Sequence, residues 1–156
     1  MDAGEPELRT LAMLILAAYV FLLRIPSEGI PLVAHANAGP KPLPVFKVHR
    51  DQVELYLARR KNRLYPSSIH RPCWCKSCMV TCPVHVLGAY MASLPPGAQP
   101  FAQLSPDRAR TGLRRMLAAT GVPQPELYWL HDVRRGHAED LRRGGATLGE
   151  ILRAGA

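Results

Sequence analysis

The sequence predicts an α+β domain dominated by helices, with a small antiparallel sheet at its edge, and three observations carry that expectation. An apolar run, Leu11–Leu23, reads as one buried helix. The alternating stretch Val53–Leu57, followed by basic residues, reads as half of a hairpin. Three later segments open and close with helix signals. The 156 residues, 47% hydrophobic and 21% charged, suffice for one ordinary core, so residues 1–156 are read as a single domain. Fifteen prolines and twelve glycines gather in a few places, which predicts long connections between the ordered elements.

The stretch LAMLILAAYVFLL is too short to cross about 30 Å of hydrocarbon, which takes roughly 20 residues. Acidic residues outnumber basic ones before it, the wrong sign for a signal peptide, so it is read as fold and no membrane partner is expected. Gly and Pro break residues 29–44 into turns and one short strand. In VELYL, Val53, Leu55 and Leu57 share one side while Glu54 and Tyr56 take the other. The cluster Arg59, Arg60, Lys61, Asn62, Arg63 then forms the hairpin tip, and Leu64–His70 the returning strand. A helix is expected at Pro83–Ala92. The segment SLPPGAQPFAQLSP reads as a linker, after which Ser105 caps a helix with Pro106 at its first position, ending at Gly121. A further helix carries YWLHDVRRGHAEDLRRGG, and Ala146–Arg153 forms one more.

The formal net charge is +8 with a pI near 9.8, and its placement matters more than its size. Residues 41–76 hold nine Lys and Arg against two acids, a net +7. Such a strip suits a polyanion, although charge runs also occur as plain solvated surface. The cysteines lie close together, at Cys73, Cys75, Cys78 and Cys82, with His85 three residues further on. Thiolate and imidazole are the ligands Zn²⁺ prefers, and Cys73, Cys75, Cys82 and His85 form the candidate set for a structural zinc. The spacing is not a standard two-knuckle pattern, so free thiols and disulfides stay open as alternatives. Without a secretory signal an intracellular location is expected, nuclear in a eukaryote.

His131 and Arg134 stand three residues apart, a spacing that puts both on one helix face within reach of a single anionic group. Together with Arg24 in LRIPSE and Lys61 on the basic tip, the segment HDVRRGHAEDLRRGGATLGEILRAGA resembles the catalytic domain of tyrosine recombinases, the phage-integrase family. The likeness is nearest to the recombinases of fungal crypton-like mobile elements and covers about Ala12 to Ala156. H-x-x-R alone is weak; H-x-x-R-R-G-H-A followed by G-G-x-x-L-x-x-I-L-x-A-G is far more specific.

The resemblance implies site-specific recombination or integration of double-stranded DNA through a 3′-phosphotyrosine, with no cofactor required and a homo-oligomer assembled on the DNA. It places Arg24 and Arg134 as a phosphate clamp, His131 as hydrogen-bond or proton donor, Lys61 as general acid toward the leaving 5′ oxygen, and Glu28 as a supporting acid. The chemistry suits these residue types. A pentavalent phosphorus carries extra negative charge on its oxygens, and arginine's planar fork holds two of them without losing its proton. Arg59, Arg60, Arg63 and Arg135 are the expected further DNA contacts.

The family also uses a second His or Trp and a nucleophilic tyrosine downstream of the last helix, and an amino-terminal DNA-clamping domain. Neither is matched in this sequence. An incomplete catalytic domain, inactive alone in strand cleavage, is therefore the expectation, and Tyr128 is read as a core or helix-start aromatic. A zinc-stabilised nucleic-acid-binding module without catalysis is the alternative. A third reading makes the apolar N-terminal stretch an anchor of a membrane-associated or interaction protein.

Overall fold

The computed structural model describes residues 5–35, 43–60, 65–73, 75 and 79–155. The apolar run forms helix α1, Glu5–Phe21, four turns rich in Leu and Ala, both strong helix formers. Leu14, Ala18 and Phe21 are fully buried, and Met13, Ile15, Leu16 and Tyr19 on the other faces are partly buried. A helix apolar on so many sides has to lie inside other elements. It does: α1 packs against helices α2 (Pro83–Ala92), α3 (Pro106–Ala119) and α4 (Leu130–Arg143) and against strand β4 (Ser67–Pro72). Helix α5, Leu148–Ala154, leans on α4. No helix of the described residues is long and apolar enough to cross a membrane.

Helix α1 ends in an unusual cap. Leu22 takes φ 52, in the left-handed region where glycine is normal, while Leu23 N–H donates to Ala18 O and Leu22 N–H to Tyr19 O. This is the Schellman pairing with a leucine in glycine's place. The strain of order 1 kcal/mol is offset because the Leu22 side chain is itself buried. The reversal sends Arg24 back across the end of α1 and into a single π-type turn, Ile25–Gly29. Gly29 is required there: a Cβ would lie 2.8 Å from Leu14 Cδ1.

The sheet has four strands in the order β1 (Val33–Ala34), β2 (Val45–Val48), β3 (Gln52–Leu57), β4. The hairpin expected from VELYL is present, with Leu57 opposite Ser67 and Gln52 opposite Pro72. Val53, Leu55 and Leu57 alternate into the core as the period of two requires. The sheet is mixed rather than purely antiparallel, because the two-residue β1 runs parallel to β2. Strand β2, VFKV, carries Phe46, which meets Phe21 edge-on at 5.7 Å between ring centres. The stretch read as a linker, residues 93–106, is packed structure: Phe101 and Leu104 enter the core and Ala34 N–H donates to Ala98 O.

Helix α3 begins as its letters say. Ser105 Oγ accepts the Arg108 N–H at 3.2 Å and Pro106 follows at the first position. Losing that cap should cost about 1 kcal/mol. Ser105→Ala is therefore expected to lower the melting temperature by about 2–4 °C, measurable by circular dichroism; an unchanged midpoint would mean that α3 is held by packing alone.

Candidate functional site

The end of α1, the π-turn and the start of α4 meet at one cavity of about 600 Å³. Arg24, His131 and Arg134 all line it, although more than a hundred residues separate the first from the others. Arg24 is placed by the cap described above, and its backbone N–H donates to Glu28 Oε2 at 2.8 Å. His131 and Arg134 share a face one turn apart on α4. His131 is largely exposed, with Nε2 3.4 Å from Asp132 Oδ1, whereas Arg134 is partly buried and donates to Gly155 O at 3.4 Å.

Beneath the cavity lies a buried ion pair. Glu28 and Arg60 are only 5% and 6% exposed in their side chains, and the guanidinium grips the carboxylate with two prongs, Nε to Oε1 at 3.1 Å and Nη2 to Oε2 at 3.2 Å. Arg60 also donates through Nη1 to Gly155 O. Glu28 thus fixes both the backbone of Arg24 and the side chain of Arg60. The expectation that Arg60 belongs to an exposed DNA-binding tip is corrected: it points inward, while Arg59 beside it is exposed. Alternation along an extended chain separates the two. Lys61 and Arg63 lie outside the described residues.

Arginines outnumber acids around this point. Arg71, on β4, donates to Val20 O at 2.9 Å and to Ala154 O at 2.8 Å, tying the ends of α1 and α5 together. Burial pulls the Arg134 guanidinium below arginine's ordinary value, and the nearby Arg60 and Arg24 pull it further. Arg71 is lowered likewise, by burial first and by Arg60 second. Arginine keeps its proton under such pressure, so the cluster holds positive charge that a bound anion would relieve. Arg135 instead lines a separate groove on the outer side of α4, with Tyr128 at its rim, and pairs with Asp132 at 3.5 Å. Tyr128 is 37% exposed, just ahead of α4 and not in the core.

Two residues of the main cavity carried no signal in the sequence reading, Arg110 of α3 and Trp129 ahead of α4. The signal that could have found them is an indole two positions before His131, in a chain whose helices carry arginine on their exposed faces.

The second constellation is the cysteine segment. Cys73 directly follows β4, its N–H held by Asp51 O at 2.8 Å; Cys82 is the N-cap of α2, and His85 sits on the first turn of that helix. Spacing by three puts Cys82 and His85 on one face. Ligand atoms of Cys73, Cys75, Cys82 and His85 all lie within 4.8 Å of one another, and this group could hold a metal ion. Cys73 Sγ is 3.0 Å from Cys75 Sγ, 3.6 Å from Cys82 Sγ and 3.4 Å from His85 Nδ1. Tetrahedral ligation at Zn–S of about 2.3 Å implies S–S edges of roughly 3.8 Å, near the Cys73–Cys82 separation, while Cys73 and Cys75 would have to move apart.

Two of the four groups are shifted, in opposite directions. Backbone N–H groups at the start of α2, His85 first, pull the Cys82 thiol down to about 6, while the Cys73 thiol pushes Cys75 up to about 12. Adjacent thiols cannot all ionise unaided. Cys78, the fourth cysteine, lies outside the described residues.

One further polar group stands behind this cluster. Tyr19 donates to Asp140 Oδ2 at 2.6 Å and stacks on His137 at 4.5 Å, and its phenol is raised to about 12, chiefly by that hydrogen bond. A phenol held as a donor in this way is a structural link between α1 and α4. Comparison of the chain with protein-family models, with curated proteins and with solved structures finds no match.

Proposed function

We propose that the chain is a DNA-binding domain of the tyrosine-recombinase type, holding a backbone phosphate of double-stranded DNA between Arg24 and Arg134 with His131 as a third donor. One observation carries the reading: three side chains singled out by motif, far apart in sequence, line one cavity with an excess of positive charge. Paired guanidinium forks and an imidazole suit the non-bridging oxygens of a phosphodiester and the charge that grows on them as a nucleophile attacks. Glu28 supports the clamp by fixing the backbone of Arg24. Among the described residues no tyrosine lines the cavity, so the site as it stands binds phosphate. The hydroxyl for strand cleavage and recombination would come from outside it.

Phosphate contacts by cations are salt-dependent and independent of base sequence. Arg24→Ala should weaken duplex binding in a fluorescence-anisotropy titration and reduce the slope of log K against log salt by about 1. Its melting temperature should stay near that of the unaltered chain, because the side chain lines a cavity and no ion pair is lost. An unchanged salt slope would count against the reading. Undiminished binding would remove Arg24 from the interface altogether.

The convergence of Cys73, Cys75, Cys82 and His85 favours a second, compatible reading, a zinc-stabilised nucleic-acid-binding module. In it the metal would clasp the end of β4 to the start of α2 and so hold the base of the hairpin that carries Arg59.

A further inference from the structure

The same cavity has a wall that a phosphate does not need. Arg110 of α3 and Trp129 form it, with the guanidinium carbon 5.1 Å from the indole centre. Arg114 lies 5.4 Å from the same ring. The backbone around Trp129 is fixed, since its N–H donates to Asp132 Oδ2 at 2.8 Å and Arg114 Nε donates to Tyr128 O at 3.0 Å. Yet Trp129 remains 49% exposed. A large aromatic held rigidly half in water, with cations against its ring, is the arrangement by which proteins stack nucleobases.

The remaining lining is mixed. Asp107 accepts from Arg110 Nη2 at 2.8 Å and so orients that guanidinium. Pro26, Pro106 and Leu130 supply apolar surface, and about 600 Å³ is room for far more than one phosphate. We propose that the cavity takes one nucleotide unit of a DNA strand, its phosphate at Arg24 and Arg134 and its unpaired base against Trp129 and Arg110. The proposal rests on the phosphate-binding reading and adds a substrate preference. A base inside a duplex is stacked on both faces and has none to offer. The gain from stacking on protein is no larger than the cost of extracting a paired base, so the preference is for nucleotides already unpaired.

The test uses the full chain and three labelled DNAs of one sequence: a perfect duplex, the same duplex with a single-nucleotide bulge, and the single strand. The bulged duplex is expected to bind about 10-fold more tightly than the perfect one. Trp129→Ala should abolish that ratio, and Trp129→Phe, which keeps a stacking ring, should retain most of it. Arg24→Ala should weaken all three DNAs together.

Equal binding of bulged and perfect duplex by the unaltered chain overturns the stacking wall. If Arg24→Ala still weakens both in that case, the phosphate clamp survives. A ratio that persists in both Trp129 variants also overturns the proposal. Free dAMP should fail to displace the bulged DNA below about millimolar concentration; displacement at micromolar dAMP would overturn the assignment to a DNA strand in favour of a free nucleotide.

Discussion

The reduced chain is expected to bind one zinc ion, and stripping it with a chelator should lower the melting temperature by about 10 °C. The size follows from linkage: a ligand present at a thousand times its dissociation constant stabilises the folded state by about 4 kcal/mol. In a chain of this length each kcal/mol moves the midpoint by about 2–4 °C. A bound ion would replace the competition among adjacent thiols at Cys73, Cys75 and Cys82 by shared coordination with His85. Cys82→Ser should mimic chelation, because Cys82 is both a ligand candidate and the N-cap of α2. Serine is a favoured N-cap residue, so the loss would report the metal. Metal analysis of the purified reduced protein checks the stoichiometry, and a zinc-free chain with an unchanged midpoint would reject the assignment. Most of the core cluster around α1 is built from other residues, so folding should weaken rather than vanish.

Replacing Glu28 by Gln should destabilise the domain by about 3–5 kcal/mol, the range for breaking a buried ion pair from one side. The guanidinium of Arg60 would remain buried with an amide oxygen and Gly155 O as acceptors but without its counter-charge, and the new amide N–H₂ would face other donors. Coulomb attraction alone does not set this magnitude; the desolvated, unpaired cation does. Pairing Glu28→Gln with Arg60→Met should recover much of the loss, and a double-mutant cycle followed by chemical denaturation measures the coupling. Simple additivity of the two single effects would show that the pair is not a thermodynamic unit. The contrast with Arg24→Ala is informative. One substitution removes a guanidinium that faces a cavity, the other strands one in the interior.

Much of the helical framework was legible in the letters. Pro83 after Cys82 and Pro106 after Ser105 mark helix starts because proline's fixed φ and missing donor cost nothing there. Alternation in VELYL identified β3 for an equally local reason. Strand β2 escaped notice because four residues between a proline and a histidine give no period to read, and only pairing with β3 makes VFKV a strand. Phe101 was hidden inside a Pro- and Gly-rich stretch whose composition suggests a solvated connection. Arg60 was misplaced because charge argues for exposure, and the partner that reverses the argument, Glu28, lies 32 residues away.

For the sites, the sequence by itself determined which groups are able to act: three thiols with an imidazole in one short stretch, and a histidine and an arginine one turn apart. Those follow from neighbours along the chain, where spacing fixes geometry. Only the tertiary structure decided that Arg24 shares a cavity with His131 and Arg134, that Arg60 is interior, and that Trp129 and Arg110 meet in the same cavity. Distances between residues far apart in sequence depend on how α1, α3 and α4 pack, and no local periodicity encodes that packing.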